Sequence, residues 1–453
     1  MSFRLFVLFN LIFLSSKIVG QTIPKDWFER DYKTDSLAGI SLDKAYELLK
    51  NRISKPVIVA VIDNGVDIEH EDLKNRIWTN TKEIPDNRID DDNNGYIDDI
   101  HGWNFRGAKD GTVVENEQAG ATQLFAAWKK KYENVDTTKL DRNQKMEWRI
   151  YVKAKKQFFE KINGKDSFEL NFSYNINYHS STLIANDSED LGNSSYGSPH
   201  YKLSPNLSHG THVSGIIAAE RNNNKGMKGI AENVLIMPIL ATTAVGDERD
   251  KDIANAIRYA VDNGAKIINT SFSKMFSPDK SIVDDAIKYA ERKNVLFVHA
   301  AGNDGMNVDS AENYHYPVAI FQNGKRAANF ITVGWNRPLF DFRLAHPYSD
   351  YGKNVDLFAP GSDIYSTVPN NSYDFKSGSS MSAPVVSGVA ALLLSYFPSL
   401  SAEQVKEILL QSVFKPNQMV NKPKTKVRVP FNSLSASGGI VNAYNAVKLV
   451  IKK

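Results

Sequence analysis

Three short blocks, far apart in the chain, carry side chains that together can perform acyl transfer. They read Val-Ile-Asp-Asn-Gly at 61–65, His-Gly-Thr-His at 209–212 and Gly-Ser-Ser-Met-Ser-Ala-Pro at 378–384. A serine hydroxyl is a weak nucleophile at neutral pH, and it needs an adjacent base that a third group orients. Asp63, His209 and Ser380 can fill those three roles, so the blocks predict nucleophilic catalysis by serine.

Ser380 is predicted to stand at the start of a helix. The residues that follow, 381–392, are mostly small and apolar, and Pro384 is expected in the first helical turn, where proline is tolerated. A serine at a helix N-terminus has a free backbone N–H, and the helix dipole favours negative charge that develops there. The alternative is that Ser379 or Ser380 only caps the helix.

His209 and Asp63 are expected to reach the same place from two other elements. His209 precedes an apolar helical stretch at 210–220, and Asp63 follows a continuous apolar run at 56–62 that is typical of a strand buried on both faces. Ligands of α/β folds bind at the carboxyl ends of such strands. Asp63 would accept the Nδ1 proton of His209, whereas His212 is interpreted as a packed core histidine.

Asn303 is a candidate for a fourth role. The sequence Val-His-Ala-Ala-Gly-Asn at 298–303 predicts a strand that ends in a tight turn. An asparagine amide in that turn can donate to an oxyanion beside the N–H of Ser380, and losing such a donor typically lowers rates by ~10²–10³-fold. The alternative interpretation is an asparagine that only shapes the turn.

Alternating apolar runs and helical patterns predict the elements that position these residues. Further strand-like runs lie at 234–240, 266–269, 295–300 and 331–333, and helical patterns lie at 42–49, 250–263 and 281–293. Strands that alternate with helices form parallel sheets covered on both faces. We therefore predict an α/β fold with a doubly wound, mostly parallel sheet flanked by helices. Ser41 is the expected N-cap of the first helix.

The three blocks and Asn303 resemble the subtilisin-like serine proteases, or subtilases, and the similarity extends over residues 40–450, apart from an insertion at 107–200. The resemblance implies that Asp63, His209 and Ser380 form a catalytic triad and that Asn303 is an oxyanion donor. It also implies a strand that binds substrate backbone and a pocket for the residue before the cut, formed by Ser271, Phe272, Ser273, Ala300, Ala301 and Gly302. Ser273 stands where the family usually has glycine, which would narrow or reshape that pocket.

Residues 107–200 depart from the alternating pattern and are interpreted as an insertion in a domain that spans 55–450. Aromatic residues near helical spacing predict two helices within 118–162, joined around 134–141. The residues after these helices are rich in Asn, Ser and Tyr and predict loops. The insertion is interpreted as a surface hairpin packed by its aromatic stripe, with a substrate-gating lid as the alternative.

An acidic run, Asp-Asp-Asp-Asn-Asn-Gly-Tyr-Ile-Asp-Asp at 90–99, has oxygen-bearing side chains at alternate positions before a glycine. This pattern is typical of the first half of a calcium loop of EF-hand type, although His101 replaces the closing glutamate. The predicted Ca²⁺ ligands are Asp90, Asp92, Asn94, Asp98 and the carbonyl of Tyr96. Since some subtilases bind structural calcium, the resemblance adds Asp72 as a further candidate. A solvated acidic turn is the alternative.

The N-terminus has the features of an export signal. Arg4 precedes an apolar run at 5–14, and small residues follow before Gln21. Residues 1–20 are therefore expected to be a cleaved signal peptide, and residues 21–54 an arm and a helix. The apolar run is too short for a stable anchor, and no other stretch is expected to cross a membrane. We expect a secreted or periplasmic protein.

The composition restricts the chemistry. The 453 residues include no cysteine, which excludes disulfides, thiolate metal sites and cysteine catalysis. The net charge of +3 does not indicate a nucleic-acid partner, and none is expected. We predict a serine endopeptidase that cleaves proteins or peptides without an organic cofactor. The alternatives are an esterase or acyltransferase on the same triad, or a catalytically silent, calcium-stabilised binding module.

Overall fold

The computed structural model describes residues 23–163, 167–188, 190–200 and 206–452. The predicted signal peptide at 1–20 lies outside the described residues. A seven-stranded parallel sheet forms the centre, with strand order β2-β3-β1-β4-β5-β6-β7. Its strands are β1 Val57–Asp63, β2 Trp103–Asn104, β3 Val234–Leu240, β4 Ile267–Thr270, β5 Leu296–Ala300, β6 Phe330–Asn336 and β7 Leu357–Pro360.

Two antiparallel pairs and ten helices surround this sheet in the described part of the chain. The pairs are β8 Ile364–Val368 with β9 Ser372–Lys376, and β10 Met419–Asn421 with β11 Arg428–Pro430. The helices are α1 Leu42–Leu49, α2 Gly120–Tyr132, α3 Arg142–Ile162, α4 Ser167–Asn171, α5 Ser208–Ala218, α6 Asp250–Asp262, α7 Lys280–Arg292, α8 Ser379–Tyr396, α9 Ala402–Gln411 and α10 Ala443–Lys452.

Alternation along β1 shows why its apolar run is continuous. Val59 and Val61 enter the core that contains α5 and α8. Ala60 and Ile62 point to the opposite face, into the core that contains α6 and α7. Because both faces are covered by helices, every position after Ile58 must be apolar until the strand ends. The predicted doubly wound α/β architecture is confirmed, and the strand order reverses beside β1.

Helix α8 runs through the centre of the protein. Among the described residues it is the one helix that is long and apolar enough to cross a membrane, and 89% of it is buried inside the fold. A buried core helix of a globular domain has the same length and composition. The length and composition of α8 are therefore weak support for a membrane span, although the sequence analysis expected no stretch beyond the N-terminal run to be long and apolar enough to cross a membrane.

The two predicted helices of the 107–200 region are confirmed as α2 and α3. Helix α3 begins with a capping box, in which the Asp141 carboxylate accepts from Gln144 N and the Gln144 side chain accepts from Asp141 N. The aromatic stripe packs between the helices, and Phe125, Tyr151 and Phe158 form one cluster with Phe276. Since Phe276 belongs to the segment between β4 and α7, the hairpin is fastened to the sheet domain.

Two features near the N-terminus differ in detail from a simple arm followed by a capped helix. The arm packs against the rest of the domain, because Trp27 and Phe28 are buried and the Trp27 indole donates to Ser362 O at 3.1 Å. Ser41 does precede α1, but its φ is +59° and its side chain makes no capping bond. The Ser41 hydroxyl instead accepts from Asn442 Nδ2 at 2.9 Å, which ties α1 to the start of α10.

Candidate active site

Asp63 and His209 are in direct contact at the carboxyl edge of the sheet. Asp63 is the last residue of β1, and its buried carboxylate oxygens lie 2.8 and 3.0 Å from His209 Nδ1. The imidazole is about a third exposed, at 34% of its side-chain surface. The contact leaves Nε2, the other ring nitrogen, for a second partner. The geometry is that of an oriented histidine base.

Two neighbouring residues let the helix approach the strand this closely. Asn64 Oδ1 accepts from Gly210 N at 3.0 Å, which joins the turn after β1 to the first turn of α5. A Cβ on Gly210 would lie 2.2 Å from Gly65 O, so only glycine allows this approach. The glycine after His209 therefore has a packing reason, and Asn64 has a positioning role that the sequence analysis missed.

The electrostatic surroundings alter the basicity of His209. Burial by itself lowers the pKa of the imidazole, but the charge of Asp63 and the hydrogen bond to it outweigh that effect. The pKa of His209 is therefore raised above its usual value. A raised pKa makes the ring a stronger base, and it restricts the neutral form to higher pH.

Ser380 is the second residue of α8, and it is bonded to Ser271 in two ways. Ser380 Oγ donates to Ser271 O at 2.8 Å, and Ser271 Oγ donates to Ser380 O at 2.9 Å. The bond from Ser271 Oγ satisfies the carbonyl of Ser380, which has no hydrogen-bond donor within α8. Pro384 is the sixth residue of the helix, not in its first turn as expected, and its missing N–H leaves the carbonyl of Ser380 without a helical donor.

Asn303 lies beside the start of α8. Its Oδ1 accepts from Ser379 N at 2.9 Å and from Ser379 Oγ at 3.1 Å. The amide atoms of Asn303 and the backbone N of Ser380 face a common space next to Gly378. A Cβ built on Gly378 would lie 3.5–3.6 Å from the Asn303 amide and 3.7 Å from Ser380 N. Glycine at 378, with φ of +148°, keeps this space open.

The six residues implied as substrate-binding occupy two neighbouring segments. The segments follow β4 and β5, which are adjacent parallel strands, so they emerge at the same edge as Asp63. Ser271, Ala300, Ala301 and Gly302 are buried, whereas Phe272 and Ser273 are partly exposed. Both segments touch α8, since Ser271 contacts Ser380 and Gly302 N donates to Ser379 Oγ at 3.3 Å.

His212 lies away from this chemistry. It is fully buried on α5, and its Nε2 lies 3.0 Å from Ile364 O and 3.2 Å from Asp374 O. Burial lowers the pKa of His212 to about 3, so the ring stays neutral. The interpretation of a hydrogen-bonded core histidine is confirmed.

A buried carboxylate that the sequence analysis missed lies near the Asp63–His209 pair. Burial, followed by the charge of Asp247, raises the pKa of Glu248 to about 7. No described residue bonds its Oε2 atom. When Glu248 is ionised, its charge helps to raise the pKa of His209. A single glutamate in a loop after β3 carries no pattern that would reveal this position.

The acidic run folds around a carboxylate from an earlier segment. Oxygen atoms of Glu83, Asp90 and Asp92 lie within 4.8 Å of one another. Glu83 also accepts from the backbone N atoms of Asp92 and Asp98 at 3.1 and 3.0 Å. The run itself lacks a closing glutamate, and Glu83 supplies an acidic group from outside it. Three grouped carboxylates suit a hard divalent cation such as Ca²⁺.

The other predicted ligands have different partners. The Asp98 carboxylate accepts from the N atoms of Asn87 and Arg88, at 3.2 and 3.0 Å. Asn94 Oδ1 accepts from Tyr96 N at 2.8 Å, inside the loop. Asp72 is buried elsewhere, where its carboxylate accepts from Asn223 Nδ2 and from Met227 N. Asp72 therefore binds the 223–227 loop and lies outside the group formed by Glu83, Asp90 and Asp92.

Comparison with known proteins identifies the family of the chain. A model of the subtilase family matches residues 54–434. Subtilisin-like protease 1 of Plasmodium falciparum is 29% identical over 426 residues, which cover 91% of this chain and 46% of the relative. The cell wall-associated protease of Bacillus subtilis is 36% identical over 220 residues, covering 49% of this chain and 22% of the relative. The chain thus spans half or less of the length of these curated relatives.

A solved structure gives the same result for the fold. A protease from Pseudoalteromonas arctica aligns with a TM-score of 0.54 and 21% identity, covering 94% of this chain and 97% of that one. At this identity the likeness concerns the fold alone. The family match is stronger because it extends over most of the sequence, including the segments that carry Asp63, His209, Asn303 and Ser380. The chain belongs to the subtilase family.

Proposed function

We propose that this protein is a serine endopeptidase, with Ser380 as nucleophile, His209 as base and Asp63 as the residue that orients the base. The single observation that carries the proposal is the paired contact of Asp63 with His209 Nδ1, at 2.8 and 3.0 Å. Asp63 ends β1, and Ser271, the partner of Ser380, follows the adjacent parallel strand β4 at the same edge of the sheet. Membership of the subtilase family supports the same assignment.

Acyl transfer would begin when substrate enters and Ser380 exchanges its hydrogen bond to Ser271 O for one to His209 Nε2. A hydroxyl has one proton to donate, so the two bonds exclude each other. His209 then removes that proton while Oγ attacks the scissile carbonyl, and Asp63 stabilises the imidazolium. His209 returns the proton to the leaving amine. Water, activated by the same histidine, hydrolyses the acyl-enzyme.

The developing oxyanion would occupy the space beside Gly378. Ser380 N and the Asn303 side chain border that space, and the Oδ1 of Asn303 is already engaged by Ser379. The free Nδ2 group of Asn303 is therefore the donor on that side. Preorganised donors of this kind act mainly on the transition state, because the charge forms only there.

Protein or peptide chains are the substrate class that the cleft favours. Residues 271–273 continue from β4 at the site, where an extended substrate segment could add main-chain hydrogen bonds. We propose a secreted or periplasmic location, based on the predicted signal at 1–20. One relative, from Bacillus subtilis, is described as cell wall-associated.

Calcium is proposed as a structural ion. Glu83, Asp90 and Asp92 would hold it, since their oxygen atoms converge and all three side chains are acidic. The ion would neutralise the three carboxylates and link Glu83 to Asp90 and Asp92 within the 80–99 loop. The proposed site includes two of the ligands expected from the acidic run, Asp90 and Asp92, and adds Glu83.

A fluorophosphonate probe tests the nucleophile. Wild-type protein and Ser379→Ala should be labelled, whereas Ser380→Ala should not, because Ser379 is the adjacent hydroxyl on the same helix turn. Hydrolysis of a protein and of matched peptide and ester substrates should follow the labelling. Activity on esters alone would favour the esterase alternative. A folded wild-type protein without labelling or hydrolysis would favour a silent binding module and reject the endopeptidase.

A further inference from the structure

One segment closes the gap between the two substrate-facing segments 271–273 and 300–302. Tyr316 N donates to Lys274 O at 2.8 Å, and Lys274 N donates to Tyr316 O at 3.1 Å. His315, the residue before Tyr316, contacts the 300–302 segment. We call the space between 271–273 and 300–302 the acyl pocket, and the 315–316 segment spans its far end.

His315 lies against the 300–302 side of that space. Its Nδ1 lies 3.2 Å from Ala301 O, and a Cβ built on Gly302 would come within 1.9 Å of the same atom. The imidazole therefore fills the place where a side chain at 302 would project. Only glycine is compatible with it there, and Gly302 has the φ of +116° that also favours glycine.

Two carboxylates fix this ring. His315 Nδ1 is paired with the fully buried Asp350, and Nε2 lies 3.1 Å from Asp304 Oδ2. Burial alone lowers the pKa of His315, but hydrogen bonds to Asp304 and Asp350 and their charges raise it to about 10. Asp350 also accepts from Met306 N at 2.7 Å. The ring is thus a positively charged group held on both nitrogens, and it cannot swing aside without breaking ion pairs.

The acyl pocket begins at the reaction centre. Ser271 O is 2.8 Å from Ser380 Oγ, and Gly302 N is 3.3 Å from Ser379 Oγ. A carbonyl carbon attacked by Ser380 must lie between these two segments. In the proposed reaction, the side chain attached to that carbonyl would extend toward the end of the space that the 315–316 segment spans.

We infer that His315 forms the base of the acyl pocket and limits the residue before the cut to small, uncharged side chains such as alanine, glycine and serine. The inference rests on the proposed endopeptidase function and specifies its substrate class. A leucine, phenylalanine or lysine would have to displace a buried ion pair, which is strongly unfavourable when one partner loses its counter-charge. Asp350 offers little to a substrate cation, because His315 and the backbone N atoms of Asp304 and Met306 already engage its carboxylate.

A peptide series of constant sequence, varied only at the residue before the cut, tests this in the wild-type enzyme. We expect kcat/KM for alanine to exceed that for phenylalanine, leucine and lysine by roughly 100-fold or more, given that one methylene alone can change selectivity 10- to 200-fold. Cleavage after large or basic residues at equal or higher efficiency would overturn the inference and leave the endopeptidase intact. No cleavage of any peptide would instead count against the endopeptidase.

Enlarging the pocket provides the complementary test. His315→Ala leaves Asp350 buried without its counter-charge, so the second variant combines His315→Gly with Asp350→Ser. In any folded variant we expect the phenylalanine-to-alanine ratio of kcat/KM to rise at least about 10-fold. His346→Ala is the matched control, since His346 stacks on Trp335 outside the pocket and should leave the ratio unchanged. An unchanged ratio in the double variant would overturn the inference.

Discussion

Ser271 and Ser380 exchange hydrogen bonds, each hydroxyl donating to the carbonyl oxygen of the other residue at 2.8 and 2.9 Å. This pair joins the segment after β4 to the first turn of α8. A third residue extends it, because Asn269 Nδ2 donates to Ser271 Oγ at 3.0 Å. The proposed nucleophile is therefore positioned from the sheet as well as from its own helix.

Ser271→Ala should weaken both the fold and the reaction. The substitution leaves the carbonyl of Ser380 without a donor, since Pro384 cannot supply one, and an unsatisfied buried group costs about 1–3 kcal/mol. We expect a lower free energy of unfolding by that amount. A several-fold loss of kcat should accompany it, because Ser380 loses one of its supports. Denaturant unfolding and steady-state kinetics measure the two effects.

Ser382→Ala is the matched control for that experiment. Ser382 is also buried on α8, but its hydroxyl donates to Ala359 O at 2.8 Å and not to Ser380. Its loss should lower stability with little change in kcat. Equal kcat values for the two variants would show that the Ser271 bond does not position the nucleophile.

The activity should depend on pH through His209. The base must be neutral, and the charge of Asp63 raises the pKa of His209 despite burial. Activity is therefore expected to be full above the raised pKa and to fall as the pH drops through it. The acid limb of kcat/KM should lie above pH 6.5, the ordinary value for histidine. An acid limb below pH 6.5, the ordinary value for histidine, would contradict this prediction.

Asp63→Asn should lower kcat by about 10⁴-fold.

Glu248→Gln should change stability in a defined pH window. The pKa of Glu248 is raised from 4.5 to about 7, so its folded form holds a proton that the unfolded form releases. The contribution of this proton to the free energy of unfolding is complete below pH 4.5 and is lost as the pH rises through 7. Wild type should lose up to about 3 kcal/mol across this range, and the variant should not. Unfolding free energies at pH 4.5 and 8 provide the comparison.

The same substitution has a kinetic consequence. Ionised Glu248 helps to raise the pKa of His209, so Glu248→Gln should move the acid limb of kcat/KM to lower pH. Asp285→Asn is a suitable control, because Asp285 is an exposed carboxylate of α7. An unmoved limb in the Glu248 variant would show that the two groups do not interact.

Arg106 should anchor the 107–200 region. Its buried guanidinium donates to Glu117 at 3.0 Å, to Asp252 at 3.3 Å and to Val114 O at 3.0 Å. Removing Arg106 takes the direct ion pair from Glu117, while Asp252 keeps Arg249 as its partner. Breaking a buried pair in this way costs about 3–5 kcal/mol. Arg106→Met should therefore lower the melting temperature and expose the region to limited proteolysis. The exposed Arg149→Met should change neither.

The sequence predicted best what depends on local pattern. The run around β1 is apolar because helices cover both faces of the sheet. No polar residue therefore occurs in the strand before Asp63. The blocks around His209 and Ser380 contain small residues for a similar reason, since those residues allow close packing. Gly210, for example, would clash with Gly65 O if it carried a Cβ. Such constraints act on neighbouring residues and therefore leave short motifs.

What the sequence could not predict depends on residues brought together from distant segments. His315 meets Asp304 and Asp350 only through folding, and no spacing rule links these positions. Ser41 was expected to cap α1, but the competing bond from Asn442 forms 401 residues away. Pro384 fits α8 beyond its first turn because Ser271, from another element, bonds the carbonyl that proline leaves free. In each case tertiary contacts override a sound local rule.

Calcium should stabilise the protein through Glu83, whose carboxylate lies with those of Asp90 and Asp92. Bringing three negative charges within 4.8 Å is unfavourable without a cation, so binding should raise the melting temperature and chelation should lower it. Glu83→Gln should remove most of this calcium-dependent shift. Asp91→Asn is the matched control, because Asp91 accepts from Ile84 N and Asn87 Nδ2 outside the grouped set. If neither calcium nor chelator changes the melting temperature of the wild type, the proposed ion is rejected. If the calcium-dependent shift of Glu83→Gln equals that of the wild type, Glu83 is rejected as a ligand.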